Sequence, residues 1–253
     1  MSLPRRAMSA LRVGSFFCWS AVYVSVIIFV AAVRPGSTYY RLVRAWARLT
    51  LRWFGVRVET FGDERLVRGR DYVVLSNHRS HLDPLAIMVA LREHETRWVA
   101  KRELLRVPIF GFGLRVTGQI LIDRHDHEQA VRQLHANLGK SGASVVFFPE
   151  GRRASTTALL PFKKGGAAFA IEAGWPVLPV AVSGSERVLP ALSLNVRPGT
   201  IRVSVGEPIE VTSLTATDRE ALTRQTREAI QGLLIDAESP RPSALAREAR
   251  ACA

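Results

Sequence analysis

Hydrophobic and polar residues follow three patterns along this chain, and the first is an uninterrupted apolar run. Residues 13–33 contain no charged side chain. As an α-helix that rises about 1.5 Å per residue, the run extends roughly 30 Å, which is the thickness of the hydrocarbon core of a bilayer. A cleaved signal peptide is the alternative, because arginines precede the run, but the apolar region of such peptides is shorter. The pattern therefore predicts a helix that inserts into lipid.

The second pattern is a helical repeat of basic and apolar positions over residues 37–54. Pro35 and Gly36 end the first helix, and Ser37 can cap the next one. Four arginines share one stripe of this helix and four large apolar residues share the adjoining face: Arg41, Arg44, Arg48 and Arg52 beside Leu42, Trp46, Leu49 and Trp53. A basic amphipathic helix of this kind lies in the headgroup plane of a membrane. A surface helix packed on a globular domain has the same pattern, so both interpretations stay open.

The third pattern alternates short runs rich in valine and isoleucine with helical segments, from Val56 to Ala237, and predicts an α/β domain. We predict strands at residues 72–76, 97–100, 118–123, 144–148, 177–182 and 201–205. We predict helices at residues 126–138, 164–173 and 217–236. Thr217 and Glu220 form a capping box at the start of the last helix. The predicted domains are 1–55, membrane-anchoring helices; 56–237, the α/β domain; and 238–253, a mobile tail.

Composition and charge narrow the class of protein. The 253 residues are 47% hydrophobic, which excludes an intrinsically disordered chain. Cys18 and Cys252 are too few for a disulfide framework or a cysteine-rich metal site, and they indicate a reducing compartment. With 35 Lys and Arg against 22 Asp and Glu the net charge is +13, which indicates an anionic partner.

The position of the charge indicates which anionic partner to expect. Nine arginines and no acidic residue precede Glu59, and six of those arginines follow the apolar run. Basic residues beside an apolar segment of lipid length favour a membrane surface. The sequence contains no helix-turn-helix, zinc-finger or RNA-binding motif, so we expect no nucleic-acid partner. By the positive-inside rule, the domain should face the cytoplasm.

Polar residues directly after the predicted strand 72–76 are candidates for catalysis. A turn in the segment 77–83 would bring the carboxylate of Asp83 to Nδ1 of His78, which leaves Nε2 of the ring as a base. The chain has no Gly-x-Ser-x-Gly nucleophile, so the activated hydroxyl would belong to the substrate. A surface histidine beside a carboxylate is the alternative.

Cationic residues follow other predicted strands and indicate an anion site. Gly151 permits a tight turn, and Arg152 and Arg153 offer the planar donors that suit phosphate. Lys101 and Lys163 are further cations on neighbouring loops. Solvated surface cations are the alternative for each of them. We expect no metal, because the cluster 125–128 lacks a third ligand in register.

Taken together, these motifs resemble the glycerolipid acyltransferase superfamily, and within it the bacterial 1-acyl-glycerol-3-phosphate acyltransferases. The first family motif, Asn-His-x4-Asp, corresponds to residues 77–83. The second corresponds to Lys101, Glu103, Leu104, Pro108, Gly111, Gly118, Ile122, Asp123 and Arg124. The third corresponds to Phe148, Pro149, Glu150, Gly151 and Arg153, followed by Phe162, Lys163 and Gly165. The fourth corresponds to residues 178–184, and the family's hydrophobic N-terminal region corresponds to residues 10–54.

The resemblance implies a glycerol-3-phosphate acyltransferase-like fold: a mixed, largely parallel sheet flanked by helices, with a hydrophobic two-helix membrane anchor. It implies transfer of a fatty acyl group from acyl-CoA or acyl carrier protein to the free hydroxyl of 1-acyl-glycerol-3-phosphate (lysophosphatidic acid), which gives phosphatidic acid. No cofactor and no metal are implied. The enzyme would work at the cell inner membrane, with its catalytic domain on the cytoplasmic face.

The resemblance also implies roles for single residues. His78, oriented by Asp83, would be the general base. Lys101 and Arg153 would hold the acceptor phosphate in a pocket shaped by Glu150 and Gly151. The whole expected substrate-binding set is Asn77, Lys101, Glu150, Gly151, Arg152, Arg153, Lys163 and Pro179. Backbone amides of a loop after Pro179 are the expected donors to the oxyanion.

One departure from the family pattern concerns the acceptor. Arg152 stands where the family has threonine, and Ala154 stands where serine is usual. The extra charge at Arg152 could tighten phosphate binding or suit another acceptor, such as lyso-ornithine lipid. A non-catalytic lipid-binding protein of the same fold is a further alternative, against which the intact His78 and Asp83 argue.

Overall fold

A seven-stranded sheet forms the centre of the molecule, within the residues that the structure, a computed structural model, describes. These are residues 3–33, 37–92, 94–106, 110–122 and 143–238, apart from the single positions 155, 157, 192 and 194. The strands are β1 Val56–Phe61, β2 Val73–Ser76, β3 Thr96–Lys101, β4 Ile120–Ile122, β5 Ser144–Phe147, β6 Val177–Ser183 and β7 Gly199–Val205. The helices are α1 Leu3–Val33, α2 Ser37–Trp53, α3 Asp83–Ala90, α4 Phe110–Val116, α5 Gly165–Ala173, α6 Ser185–Val188 and α7 Arg219–Glu238.

The strand order is β1-β7-β6-β2-β5-β3-β4, and neighbouring strands are parallel except for the antiparallel pair β6 and β7. Every residue of β2, β5 and β6 is buried. Strands covered on both faces are continuous apolar runs, and this is the pattern that predicted them. The prediction of a mixed, largely parallel sheet flanked by helices is confirmed.

Side chains alternate between the two faces of the sheet, so each face has a core of its own. On one face, called the α3 face, alternate strand residues pack against helix α3: Val74, Val146 and Leu178 with Ala86, Ile87 and Ala90. On the other, called the α7 face, the adjacent strand residues pack against α5 and α7: Val73, Val145 and Val177 with Phe169, Ala170 and Leu222. Helix α2 lies on the α3 face, where its Tyr39, Tyr40 and Ala47 share a cluster with Met88.

Helix α1 packs along α2 but keeps one side open. Trp19 of α1 stacks on Trp53 with ring centroids 6.3 Å apart, and Phe16 contacts Phe54 at 4.9 Å. The open side of α1 consists of large apolar residues that are 49% or more exposed: Phe17, Val22, Val26, Phe29 and Val33. Gly14–Val33 has a mean hydropathy of 2.4, long and apolar enough to cross a membrane, although a signal sequence has the same properties. Among the described helices α1 alone meets these criteria, so the second helix of the predicted anchor is not confirmed.

The structure differs from the sequence prediction in several elements, and helices α4 and α6 are among those that were not predicted. Strand β1 and helix α3 were not predicted, because β1 is half exposed at the sheet edge and α3 is apolar on every side. The capping box before α7 consists of Thr215 and Asp218, so the prediction of Thr217 and Glu220 is wrong. Glu220 is instead paired with Lys164 at 2.9 Å. The predicted helix 126–138, the Pro35-Gly36 break and the tail from residue 239 lie outside the described residues.

Candidate active site

Residues at the ends of four neighbouring parallel strands meet at one edge of the sheet. The segment Asn77-His78 follows β2, Lys101 ends β3, Phe148 follows β5 and Ser183 ends β6. Because these strands are parallel, their carboxyl ends lie side by side, which is where α/β proteins bind ligands. We call this edge the catalytic edge.

His78 and Asp83 are in direct contact at the catalytic edge. His78 Nδ1 lies 2.8 Å from Asp83 Oδ2, as the spacing of the two residues predicted. The imidazole is 18% exposed and the carboxylate is fully buried. The ring therefore keeps an edge open to a substrate, while its carboxylate partner is shielded from water.

Asp83 also shapes the turn that carries the histidine. Its Oδ2 accepts the backbone N–H of Arg79 at 2.6 Å and that of Ser80 at 2.7 Å, and helix α3 begins at Asp83 itself. An oxygen that already accepts two N–H groups acts as an acceptor toward the ring, so His78 Nδ1 carries the hydrogen. His78 Nε2 is then left with its lone pair, the form that a general base requires.

The imidazole ring of His78 is stacked on an aromatic ring. The ring of Phe148 lies parallel to that of His78, with centroids 3.9 Å apart and an interplanar angle of 13°. Trp98 also packs on Phe148, with ring centroids 5.7 Å apart. Sequence reasoning did not give Phe148 a role beside the histidine, although an aromatic residue directly after a buried strand was a usable signal.

Glu150 joins the histidine loop to a second loop. One carboxylate oxygen accepts the backbone N–H of His78 at 2.8 Å, and the other accepts that of Leu160 at 3.1 Å. Burial raises the pKa of Glu150, and the two amides and the charge of Arg79 offset part of that rise. With 6% of its surface exposed, Glu150 acts on the backbone of these loops.

Asn77 links the end of β2 to β6. Its Nδ2 donates to the carbonyl of Val182 at 2.9 Å, and its Oδ1 accepts the N–H of the same residue at 2.8 Å. The side chain is fully buried. Both ends of the amide are therefore engaged by backbone, away from any position that a substrate could reach.

Gly151 and Lys163 lie against each other beyond Glu150. Gly151 has a φ of 73°, a left-handed conformation that favours glycine. A Cβ at Gly151 would lie 3.1 Å from Lys163 Cε. The two loops are thus close enough for the Lys163 ammonium to be held beside the catalytic edge, where its side chain stays exposed.

Arg153 is the half-buried cation of this region, whereas Lys101 and Arg152 are exposed. Arg153 Nη1 is buried and makes no hydrogen bond to the described part of the chain. Burial, followed by the charges of Arg153 and His78, lowers the pKa of His81, so Arg153 lies near the histidine loop. A buried donor without a partner is costly, so the chemistry of Arg153 suits an anion.

Pro179 is not followed by a loop. It lies within β6, buried and paired with Leu75, and its carbonyl accepts the N–H of Gly206 at 2.8 Å. The amides after Pro179 belong to the sheet, so the expectation that a loop there donates to an oxyanion is wrong. The apolar run through residues 177–183 was a signal for a strand at this position.

Two buried residues of the histidine loop were missed by sequence reasoning. Arg79 is 2% exposed, and its Nη1 lies 3.9 Å from the carboxylate of Glu186. Ser80 donates its hydroxyl to the carbonyl of Leu189 at 2.8 Å. Within the described residues no group of three potential metal ligands occurs, and the cluster 125–128 lies outside them.

A largely parallel sheet with a His-Asp pair at its carboxyl edge is typical of an enzyme that uses histidine as a general base. A family model described as acyltransferase matches residues 57–183, which contain the whole catalytic edge. The chain belongs to this acyltransferase family.

Individual relatives are similar over most of the chain. The 1-acyl-sn-glycerol-3-phosphate acyltransferase of Pseudomonas aeruginosa is 35% identical over 202 residues, 76% of this chain and 75% of the relative. The human 1-acyl-sn-glycerol-3-phosphate acyltransferase beta is 32% identical over 225 residues, 83% of this chain and 80% of the relative. The crystal structure of the 1-acyl-sn-glycerophosphate (LPA) acyltransferase from Thermotoga maritima has the same fold, with a TM-score of 0.80 over 94% of this chain and 100% of that chain, at 21% identity.

Proposed function

We propose that this protein transfers a fatty acyl group to the free hydroxyl of 1-acyl-glycerol-3-phosphate and so makes phosphatidic acid. The observation that carries the proposal is the contact between His78 Nδ1 and Asp83 Oδ2 at the catalytic edge. The names of its relatives in Pseudomonas and in humans support the acceptor. The acyl donor is a thioester, either acyl-CoA or acyl carrier protein.

The mechanism is general-base catalysis by His78. Nε2 removes the proton of the acceptor hydroxyl as its oxygen attacks the thioester carbonyl, and Asp83 stabilises the imidazolium that forms. When the tetrahedral intermediate collapses, the new ester C–O bond remains, the C–S bond breaks and the proton passes from His78 to the leaving thiolate. No acyl-enzyme forms, and the residues of the chain supply the base without a cofactor or a metal.

The acceptor phosphate binds to the cations of the catalytic edge. Arg153 has a buried guanidinium nitrogen available, and Lys101, Arg152 and Lys163 are exposed cations that add positive charge. Holding the phosphate turns the encounter of two substrates into a positioned reaction. Asn77, Glu150 and Pro179 act here through the backbone that carries these groups.

The enzyme works at the cell inner membrane, with its catalytic domain on the cytoplasmic face. The exposed apolar side of α1 supports insertion into lipid, and the arginines of α2 support contact with anionic headgroups. Acyl thioesters are cytosolic, which requires the catalytic edge on that side.

The test is an assay of the purified protein with labelled acyl-CoA and acyl carrier protein against a panel of lysolipids. We expect lysophosphatidic acid to be the best acceptor and His78→Ala to lower turnover about 10²- to 10⁴-fold. Asp83→Asn should retain more activity than His78→Ala. A folded His78→Ala variant that kept a tenth of wild-type turnover would contradict the mechanism.

Another acceptor is the second candidate, because Arg152 replaces the usual threonine of the family. The same panel includes lyso-ornithine lipid, which lacks a phosphate. If that lipid is the better acceptor and Arg152→Thr reverses the preference, the acyltransferase mechanism stands and the acceptor assignment changes.

A further inference from the structure

A cationic cavity on the α7 face is not used by the mechanism above. It has a volume of about 420 Å³ and lies between the segment 159–164 and the first turns of helix α7. Three of its lining residues are basic, Lys164, Arg224 and Arg227, and one is acidic, Glu220. We call it the α7 cavity.

The α7 cavity adjoins the catalytic edge. Leu159 lines the cavity, and the next residue, Leu160, donates its N–H to Glu150, which also accepts the N–H of His78. Lys163 lies against Gly151, while its neighbour Lys164 lines the cavity. A molecule in the cavity is therefore separated from the reacting groups by one loop.

The charge of the cavity suits an anion. Lys164 binds Glu220 at 2.9 Å, and Arg227 donates to the carbonyl of Leu159 at 3.3 Å. Arg224 is exposed, and its charge, after the hydrogen bond and charge of Lys164, lowers the pKa of Glu220. One carboxylate is thus opposed by three cations, which leaves an excess of positive charge.

A second cavity of about 320 Å³ provides a contrast. It is lined by Asp63, Glu64 and Asp236 with Arg65 as its basic residue, so its charge is reversed. These two cavities therefore differ in the sign of their charge, although the chain as a whole is basic.

The wall of the α7 cavity also has an apolar part. Leu159 is buried with Ile230 and Leu234, and Phe162 is partly buried against the same cluster. An aromatic ring beside arginines is the combination that binds a nucleotide, because the base stacks on the ring and the phosphates bind the guanidinium groups.

We infer that the α7 cavity binds the nucleotide end of acyl-CoA, with its phosphates on Arg224 and Arg227 and its adenine against Phe162. This rests on the proposed function, because it assigns the donor of that reaction. A cavity of this volume is in the range of small-molecule sites. A lipid phosphate is disfavoured, because the cavity lies on the α7 face and helices α1 and α2 lie on the α3 face.

The two substrates would then reach the catalytic edge from opposite faces of the sheet. The lipid acceptor comes from the side of α1 and α2, and the water-soluble donor comes from the side of α5 and α7. The thioester arm of the donor crosses the loop that holds Leu160 and Glu150 to reach His78.

The test compares a full donor with a truncated one in detergent-solubilised full-length protein. Acyl-CoA carries the nucleotide, and the matching acyl-pantetheine thioester lacks it. In the double variant Arg224→Gln with Arg227→Gln, the KM for acyl-CoA should rise about tenfold or more, since charge-assisted hydrogen bonds are lost. The KM for acyl-pantetheine should stay unchanged. Arg57→Gln with Arg202→Gln is the control, because it removes the same charge near the far edge of the sheet.

A calorimetric titration with free CoA separates this inference from the proposed function. We expect wild type to bind CoA and the double variant to bind it at least tenfold more weakly. Suppose that the protein binds CoA through the two arginines and yet fails to acylate lysophosphatidic acid. That result would sustain the inference and overturn the proposed function.

Three results would overturn the inference. One is an unchanged affinity for CoA in the double variant. Another is an equal loss with acyl-CoA and acyl-pantetheine, which would make the arginines structural. The third is a rise in KM for acyl carrier protein alone, which would make this face a docking surface for an acidic protein.

Discussion

The carboxylate of Glu150 joins two loops that are distant in sequence, since one oxygen accepts the amide of His78 and the other that of Leu160. Sequence reasoning placed Glu150 among the substrate-binding residues. From these two bonds we infer that Glu150 is a positioning residue that acts through the backbone of His78, and the substrate-binding role stays a prediction.

At the residue scale, the change Glu150→Gln separates these two roles. A glutamine has a single oxygen, so either the amide of His78 or that of Leu160 loses its acceptor, at a cost of about 1–3 kcal/mol in the free energy of unfolding. We expect kcat to fall while the KM for lysophosphatidic acid changes little. Steady-state kinetics and denaturant unfolding measure the two effects.

Glu228→Gln is the matched control, because Glu228 is exposed on α7. It should leave kinetics and stability unchanged. A Glu150→Gln variant with normal kcat and a raised acceptor KM would favour the substrate-binding role that the sequence suggested.

How much of the site the sequence revealed depends on what each residue contacts. The His78-Asp83 pair was predictable, because a turn of four residues between the two leaves few arrangements. The role of Asn77 was not, because its partner Val182 is distant along the chain and only the sheet register brings them together. Pro179 was misinterpreted for the same reason, since its place inside β6 depends on pairing with β2.

At the scale of elements, helix α2 is joined to the sheet by a polar cluster. The hydroxyl of Tyr39 donates to Glu95 at 2.9 Å, Arg97 pairs with Glu95 at 2.6 Å, and Arg97 also bonds the tyrosine hydroxyl. Burial raises the pKa of Tyr39 to about 12, so the hydroxyl keeps its proton. The next residue after Arg97 is Trp98, which packs on Phe148, the ring that stacks on His78.

Tyr39→Phe removes the bonds of the tyrosine hydroxyl to Glu95 and Arg97 and should destabilise the docked helix. A lost hydrogen bond of this kind costs about 1–2 kcal/mol, which corresponds to a fall of about 2–8 °C in Tm for a domain of this size. Thermal unfolding in detergent measures it.

Tyr23→Phe is the control for that change, because its hydroxyl makes no hydrogen bond within the described residues. Its Tm should match wild type. An equal fall in both variants would show that the polar cluster does not hold α2.

The elements show where hydrophobic patterning predicts structure and where it does not. The buried central strands were predicted because apolar residues fill both of their faces. Helix α3 is also apolar all round, so no helical period marks it, and its start depends on Asp83 and the turn before it. The pattern of α2 left two interpretations open, a helix at the membrane surface and a helix packed on the domain. In the structure Tyr40 and Ala47 are buried against the domain, while Arg48 and Trp53 are exposed.

At the scale of the whole molecule, the exposed apolar residues of α1 continue onto neighbouring elements. Leu49 and Trp53 of α2 and Phe112 of α4 are 40% or more exposed. Like the open side of α1, these are exposed apolar residues of the kind that contact lipid. A single span would place the N-terminus outside the cell membrane, whereas insertion into one leaflet would leave both ends inside.

We expect insertion into one leaflet, because basic residues flank the apolar run on both sides and α2 supplies a second contact. A cysteine introduced by Ser2→Cys, in a variant with Cys18→Ser and Cys252→Ser, should stay unlabelled by an impermeant thiol reagent. The experiment uses intact cells whose outer membrane has been permeabilised.

Labelling from outside would support a single span instead. Extraction by high salt alone would contradict both arrangements, because an apolar helix of this length should require detergent. A cysteine at an exposed site on α7, such as Glu228→Cys, provides the control, since both arrangements leave it in the cytoplasm.

The pairing of Asn77 with Val182 has a consequence for how such a chain can change over evolutionary time. The amide of Asn77 donates to the carbonyl of Val182 and accepts the N–H of the same residue. An aspartate would place a carboxylate oxygen next to that carbonyl and lose the donor, and a glutamine side chain would be too long. A descendant that gave up catalysis but kept the fold could lose His78 freely, whereas loss of Asn77 would loosen the sheet. Two adjacent residues of one motif are thus constrained for different reasons. Asn77 is constrained by the fold, whereas His78 would be constrained by the reaction.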